Sequence, residues 1–154
     1  MNNIQMTQKI TDEIILNVIN HAKEDSVLID ANLHMVKTIH EYAKMGIVVA
    51  AIEGDITFGI GGVGKIHKGL GIAWLILNKE FLKYPKKLLK FSRYVIQASI
   101  LGLDLHRIQM DIDITYEENA RFAKRLGFKF EGRMVQYGPN KQDYDRYVLL
   151  RNEM

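Results

Sequence analysis

The sequence predicts one mixed α/β domain, with a central mixed β-sheet of about six or seven strands flanked by about four helices. Three observations lead there. From His106 to Thr115 the chain alternates, with Ile108, Met110, Ile112 and Ile114 apolar and Gln109, Asp111, Asp113 and Thr115 polar. That period of two marks a strand with one buried face. From Gly46 to Asn78 the chain is β-rich and broken by glycine-containing turns, which reads as an antiparallel meander. Between these blocks, Pro85 opens a helical pattern. Proline suits the first helical turn, where its missing N–H would be unpaired anyway.

The elements follow in order. Ile4 to Met6 is short and mixed, an edge-strand candidate. Thr11 or Asp12 can cap a helix, and Ile14, Ile15, Val18, Ile19 and Ala22 then recur at helical spacing, giving a helix over 12–24. A second helix is expected from about Asp30 to Lys44, stopped by Gly46. Gly46 to Glu53 is the next strand, Glu53-Gly54-Asp55 a tight turn, and Ile56 to Val63 the return strand. Gly64 to Gly69 is expected as a loop and Leu70 to Asn78 as a further strand. After the polar break Asn78 to Tyr84, the helix from Pro85 is expected to reach Leu101 and to end at Gly102. His106 to Thr115 is a strand, Glu117 to Leu126 a helix capped by Gly127, and Lys129 to Gly138 with Tyr144 to Leu150 a final hairpin.

Composition narrows the function classes. The chain has 154 residues, 47% of them apolar and 25% charged, as expected for one soluble globular domain. There is no cysteine, which excludes thiolate catalysis, disulfides and cysteine metal sites. The N-terminal residues lack the basic and apolar regions of a signal peptide, and no apolar run approaches the ~20 residues that span a bilayer. A non-membrane, cytoplasmic location is therefore the expectation. His21, His34, His40, His67 and His106 are scattered without ligand spacing, so no metal site is expected. The glycines from Gly59 to Gly71 follow a hairpin pattern with no helix directly after, so they read as turns and close packing rather than a nucleotide loop.

The stretch with the clearest chemistry is Lys83 to Arg93. Lys83, Lys86, Lys87, Lys90 and Arg93 crowd the start of the helix with no acid among them. A helix N-terminus is already positive, so stacking cations there makes sense if an anion binds its free N–H groups. The plainer reading is a solvated basic helix. A nucleic-acid surface is disfavoured because the cluster is short, with only Tyr84, Phe91 and Tyr94 interleaved.

The layout, together with EENARFAKRLGFKFEG at 117–132, resembles the GNAT superfamily of acetyl-CoA-dependent N-acetyltransferases. Leu126, Gly127, Phe128 and Gly132 match the family's Leu-Gly-Phe motif and following glycine. Tyr84-Pro85-x-x-Leu88-Leu89-x-x-x-Arg93 and Tyr137-Gly138-Pro139 resemble a phage-type branch of small GNAT-like proteins. The resemblance implies acetyl-CoA as co-substrate, a primary-amine acceptor and direct attack of the amine on the thioester. It implies cofactor contacts at Leu75, Ile76 and Leu77 on the fourth strand, at Lys83, Tyr84, Lys86, Lys87 and Leu88 around the helix start, and at Asn119. It implies Asp111 as the base, acting through water, with Tyr116 as a stand-in proton donor. Glu53, at the end of a central strand, is a second candidate base. A homodimer is compatible with the resemblance, and a phage-encoded chain would sit in host cytoplasm or in a virion. Two departures from the family pattern stand out. No glycine occurs between Asn78 and Leu89, where the family's phosphate loop carries them, and Ala123 occupies the position of a frequent catalytic tyrosine. These departures favour the alternative, a non-catalytic GNAT-fold phage structural or binding protein.

Overall fold

The computed structural model describes residues 3–22 and 33–154. The strands are β1 (Gln5–Thr7), β2 (Gly46–Glu53), β3 (Ile56–His67), β4 (Leu70–Leu77), β5 (Arg107–Asp113), β6 (Lys129–Met134) and β7 (Tyr144–Leu150). The helices are α1 (Asp12–Asn20), α2 (Leu33–Met45), α3 (Pro85–Leu103) and α4 (Glu117–Arg125), with a short 3-10 helix at Lys79–Lys83. One sheet holds all seven strands in the order β1-β2-β3-β4-β5-β7-β6. Among the described residues only the β4–β5 pair is parallel, because α3 returns the chain to the end where β4 began.

Each face of the sheet buries a different pair of helices. On one face, Ile15, Val18 and Ile19 of α1 and Val36 and Ile39 of α2 pack on Val48, Ala50, Ile60 and Ile76. On the other, Phe91 and Val95 of α3 cover Val49, Ala51 and Leu77. Ile96 and Ile100 of α3 join Ala123 of α4 over Ile108, Ile112, Tyr147 and Leu149. The β5-β7-β6 half of the first face carries polar side chains instead, among them Asp111 and Arg146.

The expected boundaries shift where local geometry outweighs pattern. β3 runs on through the expected loop to His67, because Gly64 and Lys65 continue to pair with Ile72 and Gly71. The turn is at Gly69, with φ +84°, a conformation that glycine adopts without strain. Gly102 does not end α3. The helix passes it and stops at Leu103, with Asp104 in the left-handed region at φ 49°. A Cβ on Gly102 would lie 2.6 Å from Ile47 Cδ1, so this glycine lets α3 approach β2 closely. β6 stops at Met134 rather than Gly138, because Gln136 turns to φ 55° and its N–H is held by Asp143. β5 is shorter than expected at both ends, α1 ends at Asn20, and α4 at Arg125. The expected helix positions 23–24 and 30–32 lie outside the described residues.

Candidate functional site

β4 and β5 pair only at Leu70, Gly71 and Ile72 with Arg107, Ile108 and Gln109. Beyond Ile72 they part, so the sheet forks towards the ends that lead into α3 and α4. Asn78 N–H donates to Phe58 O on β3. Successive N–H groups of a strand point to alternate sides, so those of Ala73 and Leu75 point into the fork. Further along that same side, Lys79 N–H donates to His21 O and Ala22 bridges Asn78, so the residues after α1 close the far end of the fork. Leu75, Ile76 and Leu77 are thus on the strand that borders the gap, with Ile76 and Leu77 buried.

The turn between β4 and α3 is built without glycine. Asn78 is 4% exposed. Its side-chain oxygen accepts from Glu80 N–H at 2.9 Å and its amide donates to Thr57 O at 3.3 Å. This caps the 3-10 helix, whose Phe81 is fully buried against Phe58 and Phe91. Tyr84 then stands at the N-cap of α3 with no side-chain capping bond, Pro85 follows, and no acid lies in the first turn. The first-turn N–H groups of such a helix have no intrahelical acceptor.

The cations at this end are not equivalent. Lys83 pairs with Glu80 at 2.9 Å, and that hydrogen bond raises its pKa above the usual lysine value. Lys87 Nζ lies over the Tyr84 ring, 5.8 Å from its centroid. Lys86 turns the other way, to a surface groove shared with Lys90, Arg93, Tyr94 and Met6 of β1. Leu88 is a core residue at 6% exposure. The five cations of the sequence cluster therefore divide between a local ion pair, the helix start and an outer stripe.

Across the fork, Asp111 lies on the polar face of β5, directly opposite Arg146 of β7. Its side chain is 9% exposed. Arg146 Nε donates to Oδ1 at 2.8 Å and Nη2 to Oδ2 at 3.0 Å. Tyr137 O–H donates to Oδ2 at 3.3 Å. The Asp111 hydrogen bond raises the Arg146 pKa above the ordinary guanidinium value. A carboxylate offers about four lone-pair sites, and these three bonds leave one for a further donor. Asp113, two residues on, accepts from Thr115 N–H and O–H at 2.9 and 2.7 Å.

Tyr116 is the N-cap residue of α4 and is 36% exposed. Its N–H donates to Asp113 O, and Asn119 N–H to Tyr116 O, so both stand at the α4 side of the opening. Ala123 is 1% exposed within the α4 core, so that position has no contact with solvent. Glu53 does not join the group. It pairs with Ile56 at the end of β2, and β3 and β4 separate it from β5, a span of roughly 14 Å across the sheet. Its Oε2 is buried without a hydrogen-bond partner.

Sequence reasoning missed Arg146, Tyr137, Asn78 and Phe81 as site builders. The signal for Arg146 was register alone. A cation on the polar side of a strand paired with β5 meets a carboxylate, but the β5–β7 adjacency is not visible in the chain order. Among the described residues there is no group of three or more His, Cys, Asp or Glu that could hold a metal ion, and no helix long and apolar enough to cross a membrane.

No family model and no curated protein matches the sequence. The fold does match solved structures. A spermidine N-acetyltransferase from Vibrio cholerae, in complex with CoA and spermine, superposes with a TM-score of 0.77 at 13% identity, over 99% of this chain and 98% of that one. A ribosomal-protein alanine acetyltransferase from Vibrio fischeri gives 0.76 at 14% identity, over 99% and 95%. A probable acetyltransferase gives 0.77 at 16% identity, over 100% and 96%. With a seven-stranded mixed sheet, four helices and a forked parallel pair among the described residues, the chain has the GNAT acetyltransferase fold.

Proposed function

We propose that the chain is an acetyl-CoA-dependent N-acetyltransferase that acts on a primary amine by direct attack. The observation that carries this reading is the β4–β5 fork facing an α3 start that has free N–H groups, no acid and no side-chain cap. Acetyl-CoA supplies an activated acyl group and an anionic diphosphate. The diphosphate fits the N-terminus of α3, where helix dipole, backbone N–H groups and Lys87 favour negative charge, with Lys86 adding to the field from the outer groove. Tyr84 and Leu88 shape that entry. The backbone N–H of Leu75, with neighbours Ile76 and Leu77, would stabilise charge on the acyl oxygen. Asn119 offers an amide to the cofactor's arm. Asp111, with one acceptor site to spare, takes the acceptor's proton through water, and Tyr116 supplies a proton to the departing thiolate. Glu53 is left out of the chemistry by its distance across the sheet. The 3-10 turn anchored by Phe81 brings the chain to the helix start without a glycine.

Thermal unfolding with and without CoA tests the cofactor half of this proposal. Ligand at about 100 times its dissociation constant should add about 2.7 kcal/mol of stability, seen as a raised Tm. Lys86→Glu with Lys87→Glu should raise the CoA dissociation constant about tenfold. Lys83→Gln should change it little, since Glu80 already takes that charge. Equal CoA affinity in the double variant and wild type would remove the helix start from the site.

A further inference from the structure

We propose that the groove between α3 and the edge strand β1 is a docking surface for an acidic, extended segment of a partner protein, added as a strand beside β1. Lys86, Lys90, Arg93, Tyr94 and Gln97 of α3 line the groove with Met6 of β1. No acid is among them, and none occurs in the chain between Glu80 and Asp104. Those two flanking acids are already taken, Glu80 by Lys83 and Asp104 by Arg151. Glu53, the only acid of β2, does not line the groove. Lys86, Lys90 and Arg93 are exposed, so three cations share one stripe with no counter-charge in the groove. Beside the stripe, β1 is the outer strand of the sheet and pairs with β2 alone. Its other edge has no strand partner among the described residues, and the N–H and C=O groups of such an edge can receive an added strand. Met6 is opposite Ala51, which packs under α3, so Met6 faces the side where the cations stand.

The spacing favours an extended chain. Lys86 and Lys90 are one helical turn apart, about 6 Å along α3, and alternate side chains on one face of a strand are about 6.6 Å apart. An acid at every second position of the added strand would meet these cations in turn. The lysine stems, Met6 and the Tyr94 ring would cover the aliphatic part of each acid. A second copy of this chain is a poor occupant, because its own β1 edge brings the same cations and like charges repel. Nucleic acid fits less well too. Three cations neutralise few phosphates, and Tyr94 is the one ring among the lining residues on which a base could stack.

An end-capped peptide that alternates glutamate with threonine is the probe. Titrated into the full chain at low salt, it should shift the backbone amide NMR signals of Gln5, Met6 and Thr7 together with those of Lys90 and Arg93. Binding should weaken as salt is raised, since exposed charges are screened. Lys90→Glu with Arg93→Glu should raise the peptide's dissociation constant about tenfold. The same variant should keep the CoA-induced rise in Tm, because neither residue belongs to the proposed cofactor contacts. A peptide of the same sequence with alternate backbone nitrogens methylated keeps its charge but cannot pair along an edge, and should bind about fivefold more weakly or worse. Absent β1 shifts, or equal affinity for the methylated peptide, would overturn strand addition. Equal peptide affinity in the double variant, or tighter binding of a single-stranded thymidine oligonucleotide of matched charge, would overturn the acidic-peptide assignment. If the double variant fails to fold, the methylated peptide and the oligonucleotide decide on the wild type.

Discussion

Asp111→Asn is expected to lower acetyl transfer by about 10²–10⁴ in kcat and to leave CoA affinity unchanged. On the proposed reading the side chain would face the acceptor, one strand away from the edge that would meet the thioester, and so would act on the amine. Asparagine still offers its carbonyl oxygen to Arg146, and Arg146 at 29% side-chain exposure can draw on water for the rest. The fold should therefore survive, with Tm as the control. An amine is protonated at neutral pH, and the base matters because that proton must leave before attack. The deficit should accordingly shrink as pH rises towards the amine's own pKa, which a kcat–pH profile of both proteins would display. Asp113→Asn, on the same face, serves as the control and should be milder. Equal turnover of wild type and Asp111→Asn at pH 7 would mean that Asp111 serves only to hold Arg146 and Tyr137 in place.

Phe81→Ala is expected to cost about 3–5 kcal/mol of stability and to weaken CoA binding as well. Phe81 has no solvent exposure and touches the Phe58 and Phe91 rings, so its loss leaves a cavity at the joint between sheet and α3. The glycine-free turn has two anchors, Asn78 above and Phe81 below, and the helix start is held by both. Denaturant unfolding measures the first effect and CoA titration of the folded fraction the second. Phe81→Leu should cost less in both. A stable Phe81→Ala protein with unaltered CoA affinity would show that the turn does not shape the binding end.

Much of this architecture was legible in the chain because its signals are local. The alternation over His106 to Thr115 gave β5 and its polar face, and Pro85 gave the first residue of α3. Other features were hidden because they depend on partners distant in sequence. Gly102 looks like a helix stop until Ile47 is seen against it. Lys83 stands in the basic cluster of the sequence, and only the fold shows Glu80 beside it. Asp111 and Arg146 lie 35 residues apart, and nothing in either segment names the other. The β4–β5 fork is of this second kind too: Ile72 to Leu77 is a continuous apolar run, and only the register shows that its last part has no β5 partner.

The most direct measurement is amine-dependent release of free thiol from acetyl-CoA by the purified protein, with the acylated product identified by mass. Thiol release is expected to saturate with a primary amine, to be matched mole for mole by N-acetylated amine, and to be lost in Asp111→Asn. CoA binding with no acetylated product across primary amines at neutral and alkaline pH would contradict it, and would point to a GNAT fold kept for binding alone.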